Sequence, residues 1–110
     1  MTIRDIAANL NAEIMHDGFN NEDITKAYTS DLLSDVMANA KEGGALITVQ
    51  AHKNTVAVAS LVNIHVIIVC NSRIIPEDMV NAAKDEGIAI LLSKENQFTV
   101  SGKLYKFFDE

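Results

Sequence analysis

The chain has 110 residues, 48% of them hydrophobic and 22% charged, with a formal net charge of −6. This length sets a single domain able to bury a core of its own, and the acidic balance excludes partners that need a broad basic patch, such as DNA or an acidic membrane face. No apolar run reaches the ~18 residues needed to cross a bilayer, the opening MTIRDIAANL has no apolar signal core, and the single cysteine, Cys70, has no partner for an internal disulfide. The expected protein is cytoplasmic and binds neither nucleic acid nor membrane.

Taken in order, Thr2 is placed to cap a helix from Ile3 to Asn11, whose Ile3, Ile6, Ala7 and Leu10 share one face. Glu13 to His16 suits a short strand, and the Gly, Asn and Asp content of His16 to Asp23 predicts a loop with a solvated His16. Ile24 to Thr29 reads as a strand. Ser30 and Asp31 then offer caps for a helix, residues 30–40, with Leu32, Leu33, Val36, Met37 and Ala40 as its apolar face and Gly43 or Gly44 to end it.

The stretch from Gly43 to Asn71 organises the rest. Apolar runs at Ala45 to Val49 and His65 to Cys70 flank a segment of helical spacing, Asn54 to Asn63, which predicts a β-α-β unit with Asn54 as the helix cap. Apolar residues run around nearly the whole of that helix. A surface helix keeps a polar face, so the expectation is a second layer of cover, supplied by another copy of the chain in a homodimer or by the N-terminal helix. Val66 to Val69 has the β-branched continuity of a strand buried on both faces. Pro76 suits the first turn of a helix that carries Met79, Val80 and Ala83 inward and ends at Gly87. Ile88 to Leu92 is a further buried strand. A final helix spans Gln97 to Phe108, with Phe98, Val100, Leu104, Tyr105 and Phe108 as its inward candidates. Alternation of this kind predicts an α/β fold, three layers α/β/α around a mainly parallel sheet of four to five strands.

Several chemistries lack their local motif. There is no G-x-x-x-x-G-K-[ST] phosphate loop, no C-x-x-C or H-E-x-x-H, and no G-x-S-x-G elbow. The three histidines are scattered, so no metal or cofactor is expected. What remains is the polar rim where the parallel strands end, the place where open α/β sheets bind ligands. Tyr28, Ser30 and Asp31 follow the first parallel strand, His52 and Asn54 the second, Asn71 and Arg73 the third and Ser93 the fourth. Helix N-termini there favour an anion, Arg73 and Lys53 add charge-assisted donors, and Tyr28 offers a face for a base. His52 has the chemistry of a general base, but no nucleophile adjoins it, so binding is favoured over catalysis. Three readings follow: a homodimeric regulatory module that senses a nucleotide or other small anion; a docking scaffold for a metabolic or redox complex; and a small enzyme using His52 with Asp31 or Ser93.

The segments ALITVQ, AVASL, VIIVCNSRIIP and GIAILLSKENQF, with YTSDLLSDVMANA before them, resemble the DRTGG domain family over about residues 24–107, within a single domain of residues 1–110. They are similar to its stand-alone members and to the N-terminal domain of the serine kinase that phosphorylates the phosphocarrier HPr. The resemblance implies a dimerising, regulatory or ligand-sensing module without catalysis, since the kinase's phosphate-loop domain has no counterpart. At the position of the motif that names the family the chain has AKEGG, keeping Gly43 and Gly44 but neither the aspartate nor the arginine.

Overall fold

The continuous apolar runs become strands buried on both faces. In the computed structural model, which describes residues 1–108, β2 (Ala27–Thr29), β3 (Ala45–Thr48), β4 (Val66–Val69) and β5 (Ala89–Leu92) run parallel, and β1 (Glu13–Ile14) adds to β5 antiparallel. The sheet order is β1-β5-β4-β3-β2. Five helices cover it: α1 (Ile3–Leu10), α2 (Leu33–Asn39), α3 (Lys53–Leu61), α4 (Glu77–Glu86) and α5 (Gln97–Phe108).

Side chains alternate across a strand, which sorts the sheet into two cores. Leu46, Ile67, Val69 and Ile90 pack against Val36 of α2, Val56 and Ala59 of α3, and Met79 and Ala83 of α4. Ala45, Ile47, Val66, Ile68 and Leu91 pack against Ile3, Ile6 and Leu10 of α1 and Val100 and Leu104 of α5. The fold is thus the expected three-layer α/β/α, with the three crossover helices on one face and the two terminal helices on the other.

Local chemistry sets most element ends. Thr2 and Asp5 form a reciprocal capping box at α1, and Gly87 closes α4 in the left-handed conformation at φ 68°. The adjacent glycines before β3 have separate reasons. Gly43 sits at φ +81°, while a Cβ on Gly44 would meet the Lys26 carbonyl oxygen at 3.0 Å.

The structure corrects several expectations. α2 starts at Leu33 behind Leu32, which makes no side-chain cap bond, so neither Ser30 nor Asp31 caps it; it ends in extended Ala40, before the glycines. Only Val36 of its apolar face is fully buried, and Leu32 and Met37 are exposed. The cap of α3 is His52, whose Nδ1 accepts the Asn54 N–H at 3.0 Å, so Asn54 is inside the helix. Pro76 precedes the first turn of α4. α3 is half covered, by the sheet and by α2 and α4, leaving Ala57 and Leu61 outside; α1 lies on the far face and does not cover it. Phe98 and Tyr105 of α5 point outward, 87% and 73% exposed. His16 is buried rather than solvated, with Nε2 donating to the Ile88 carbonyl at 2.7 Å and Nδ1 accepting the Gly18 N–H.

Candidate functional site

The parallel strands β2 to β5 all end at one rim of the sheet. Loops from adjacent strands leave toward opposite faces only at β4 and β5, since β4 leads to α4 and β5 to α5. That divergence ordinarily opens a ligand crevice. Here it is bridged: the Asn71 N–H donates to the Glu95 carbonyl at 2.9 Å and the Ser72 N–H to the Ser93 carbonyl at 3.0 Å. The open space lies one strand over, between the loops that follow β3 and β4. It is a cleft of about 720 Å³ lined by Val49 and Ala51 on one side and Asn71, Ser72, Arg73 and Ile74 on the other.

The loop after β4 holds an unusual shape. Asn71 and Ser72 take consecutive left-handed conformations, at φ 64° and 51°. Asparagine tolerates this region, whereas serine is strained in it. The tight turn, held by the two bonds to the β5 loop, sends Arg73 and Ile74 out over the cleft, and Ile74 is 91% exposed. Among the described residues Arg73 has no hydrogen bond or ion pair with a carboxylate. An unpaired guanidinium at the mouth of a concave site offers a fork of donors to a phosphate or carboxylate.

Of the residues expected at the site, Asn71 and Arg73 line this cleft. His52 and Asn54 stand at the start of α3, next to lining residue Ala51 and bonded to each other. Asp31 serves a different network. Its Oδ1 accepts the Thr48 hydroxyl, the Val49 N–H and the Gln97 amide, each at 2.9 Å, which ties together the ends of β2 and β3 and the start of α5. Ser30 accepts the Leu32 N–H in a local turn. Tyr28 sits half-buried among the residues under α2, where its hydroxyl donates to Asp35 at 2.9 Å, so its ring is not free to stack at the rim. That bond raises the Tyr28 pKa above its usual value, while the side chains of Ser30, Tyr28 and Asn39 hold Asp35 below its own. Ser93 is buried, with its Oγ accepting the Glu95 N–H.

Cys70, at the end of β4, is fully buried. Burial, together with the Asp31 and Glu95 carboxylates, pushes its thiol up to about 11, so it is a packed group rather than a nucleophile. Sequence reasoning missed Val49 and Ala51, which are apolar and carry no signal of a site, and Gln97, which reaches Asp31 from another element. Among the described residues no group of three or more His, Cys, Asp or Glu side chains is arranged to hold a metal ion, and no helix is long and apolar enough to cross a membrane.

No protein-family model matches the chain, and no curated protein matches it in sequence. Among solved structures, the likeness is one of fold. The chain is similar to the crystal structure of the CBS and DRTGG domains of the regulatory region of Clostridium perfringens pyrophosphatase, complexed with its activator diadenosine tetraphosphate. The TM-score is 0.76 at 16% identity, over 94% of this chain and 45% of that one. The chain therefore spans less than half the length of that structure. At this identity the likeness establishes the fold, and the chain has the DRTGG-like architecture that its sequence resembles.

Proposed function

We propose that this chain is a non-catalytic regulatory module that senses a nucleotide or other small anion in the cleft between the β3 and β4 loops. The observation that carries the reading is the Arg73 guanidinium, which has no ion pair among the described residues, at the mouth of the 720 Å³ cleft. That volume lies inside the ~300–1,000 Å³ range of small-ligand pockets. Asn71 and the start of α3 add polar groups, while Val49, Ala51 and Ile74 give apolar contact suited to a base or acyl group. The solved structure of like fold belongs to a regulatory region bound to a nucleotide activator, which favours sensing over turnover. The His52 enzyme reading loses support, because Nδ1 of His52 is occupied by the Asn54 N–H and neither Asp31 nor Ser93 hydrogen bonds to the ring.

A homodimer is part of this reading, supported by the large apolar side chains that stay exposed on one chain, Leu32, Leu61, Phe98 and Tyr105 among them. A thermal-shift panel of mono- and dinucleotides, dinucleotide cofactors and phosphorylated metabolites tests the ligand. A compound at ~100 times its dissociation constant stabilises by about 2.7 kcal/mol, roughly 10 °C for a domain of this size. A flat panel at millimolar ligand refutes anion sensing in the cleft and leaves docking onto a protein complex as the function.

A further inference from the structure

The cleft between the β3 and β4 loops has few groups that can meet a negative charge. Among the described residues Arg73 is the one cation that lines it. Lys53, two residues past Ala51, instead lines a hollow between α3 and α4 beside Asp85 and Glu86. A phosphate cradle aims successive backbone N–H groups at its ligand. Here the N–H groups of Asn71 and Ser72 are turned away from the cleft, to the Glu95 and Ser93 carbonyls. α4 begins soon after Ile74, but its first turn carries Glu77 and Asp78, which already satisfy the positive end of the helix. Further carboxylates stand close to the same turn. Asp31 accepts the N–H of lining residue Val49 at 2.9 Å, and Glu95 belongs to the loop that holds Asn71. Burial and these two carboxylates push the thiol of Cys70, the residue before Asn71, up to about 11, so the field behind the cleft is negative.

We propose that the cleft selects a ligand with a single negative charge, a carboxylate or phosphodiester on an apolar or aromatic body, and discriminates against polyphosphates. This deepens the anion-sensing reading above and rests on it. One planar guanidinium satisfies one such group through two parallel bonds. Each further charge on the ligand finds no donor in the cleft, meets the negative field behind it and loses water without compensation. The rest of the lining suits an uncharged body. Val49, Ala51 and Ile74 are apolar, and Ile74 is 91% exposed, so a ligand laid against it removes apolar surface from water. The Asn71 amide and Ser72 hydroxyl add neutral hydrogen-bonding groups. Diadenosine tetraphosphate, the activator in the pyrophosphatase structure, is on this account a poor ligand for this cleft.

Titration calorimetry at low salt tests it. Cyclic AMP, AMP, ATP and diadenosine tetraphosphate keep the base constant while the charge rises from that of a monoanion, and benzoate carries a single charge without base or phosphate. Whichever of cyclic AMP and benzoate binds the tighter names the source of the charge, phosphodiester or carboxylate. That monoanion is expected to bind about tenfold or more tightly than ATP, with the gap narrowing as salt screens the repulsion, and to lose affinity in Arg73→Ala. Ile74→Lys puts a second cation at an exposed position of the mouth and is expected to raise ATP affinity several-fold with the melting temperature unchanged. ATP or diadenosine tetraphosphate binding as tightly as the better monoanion, and losing affinity in Arg73→Ala, refutes the single-charge selection and leaves the anion site standing. An Ile74→Lys chain in which ATP gains nothing also counts against the selection. No binding by any of these compounds at millimolar concentration refutes the anion site and this inference with it.

Discussion

Replacing Asp31 with alanine separates a structural role from a binding one at the strand ends. The Thr48 side chain is fully buried; its hydroxyl donates to Asp31 Oδ1 at 2.9 Å and accepts the Gln50 N–H at 3.1 Å. Without the carboxylate the hydroxyl proton has no acceptor in place, and a buried donor left unpaired costs ~1–3 kcal/mol. The Val49 N–H and the Gln97 amide lie at the surface, where water takes over the lost acceptor, so each adds only a few tenths of a kcal/mol. The expected loss is about 2 kcal/mol, which at ~4 °C per kcal/mol for this size lowers Tm by roughly 8 °C. Urea unfolding followed by circular dichroism reads the change as a shifted midpoint at constant slope. In a Thr48→Val background the orphaned hydroxyl is absent, so Asp31→Ala is expected to cost ~1 kcal/mol less there, a coupling well above the error of a double-mutant cycle. A loss below ~0.5 kcal/mol, or the same loss in both backgrounds, refutes the reasoning.

Further predictions concern the core, a cap, a turn and a thiol. Ile68→Ala in β4, buried on both faces of the sheet, is expected to destabilise by ~3–4 kcal/mol, measured by the same urea titration. His52→Ala removes the α3 cap at a cost of ~0.5–1 kcal/mol, while His52→Asp or His52→Ser keeps or improves it; a thermal melt ranks the three. Gly43→Ala, at φ +81°, is expected to cost ~1 kcal/mol from backbone strain alone, read as a lowered urea midpoint. For Cys70, the folded thiol keeps its proton up to about 11, whereas the unfolded thiol loses its own nearer the ordinary value of ~8.5. The folded state then binds more protons across that window, so this contribution is present below it and is lost as pH rises through it. Urea midpoints at pH 8 and pH 10.5, compared between wild type and Cys70→Ala, isolate the term.

Much of the fold is legible in the sequence because burial on both faces leaves a simple trace. β3, β4 and β5 are unbroken apolar runs separated by helices of crossover length, and Thr2 and Gly87 mark helix ends, one through its hydroxyl and the other through its freedom to take positive φ. Caps were misassigned where cap-competent residues stand in a row. At Ser30 and Asp31, and again from His52 to Asn54, the residue that caps is decided by how the chain leaves the preceding strand, a tertiary fact. The aromatic residues of α5 were misread for a related reason. Periodicity gives a stripe, but Phe98 and Tyr105 lie beyond the reach of the sheet and of α1. His16 carries no mark of burial in its polar loop; only the fold brings the Ile88 carbonyl to its ring.

The candidate site divides in the same way. Asn71 and Arg73 follow from the rule that ligands collect at strand ends, and the cleft between the β3 and β4 loops includes both. Its location does not follow, because the place where the loops diverge, between β4 and β5, is closed by backbone bonds from Asn71 and Ser72 that no sequence pattern signals. Gly43 and Gly44 show how a motif fragment persists for reasons of backbone alone: one needs positive φ, the other has no room for a Cβ.

The most direct measurement is the affinity of the best anion from the thermal-shift panel for wild type and Arg73→Ala, by titration calorimetry. Arg73 is exposed and makes no ion pair among the described residues, so its removal is expected to leave Tm unchanged without ligand. A charge-assisted fork contributes ~1.5–3 kcal/mol, so binding is expected to weaken roughly 10- to 100-fold. Equal affinity in the two proteins would contradict the assignment of the β3–β4 cleft as the anion site.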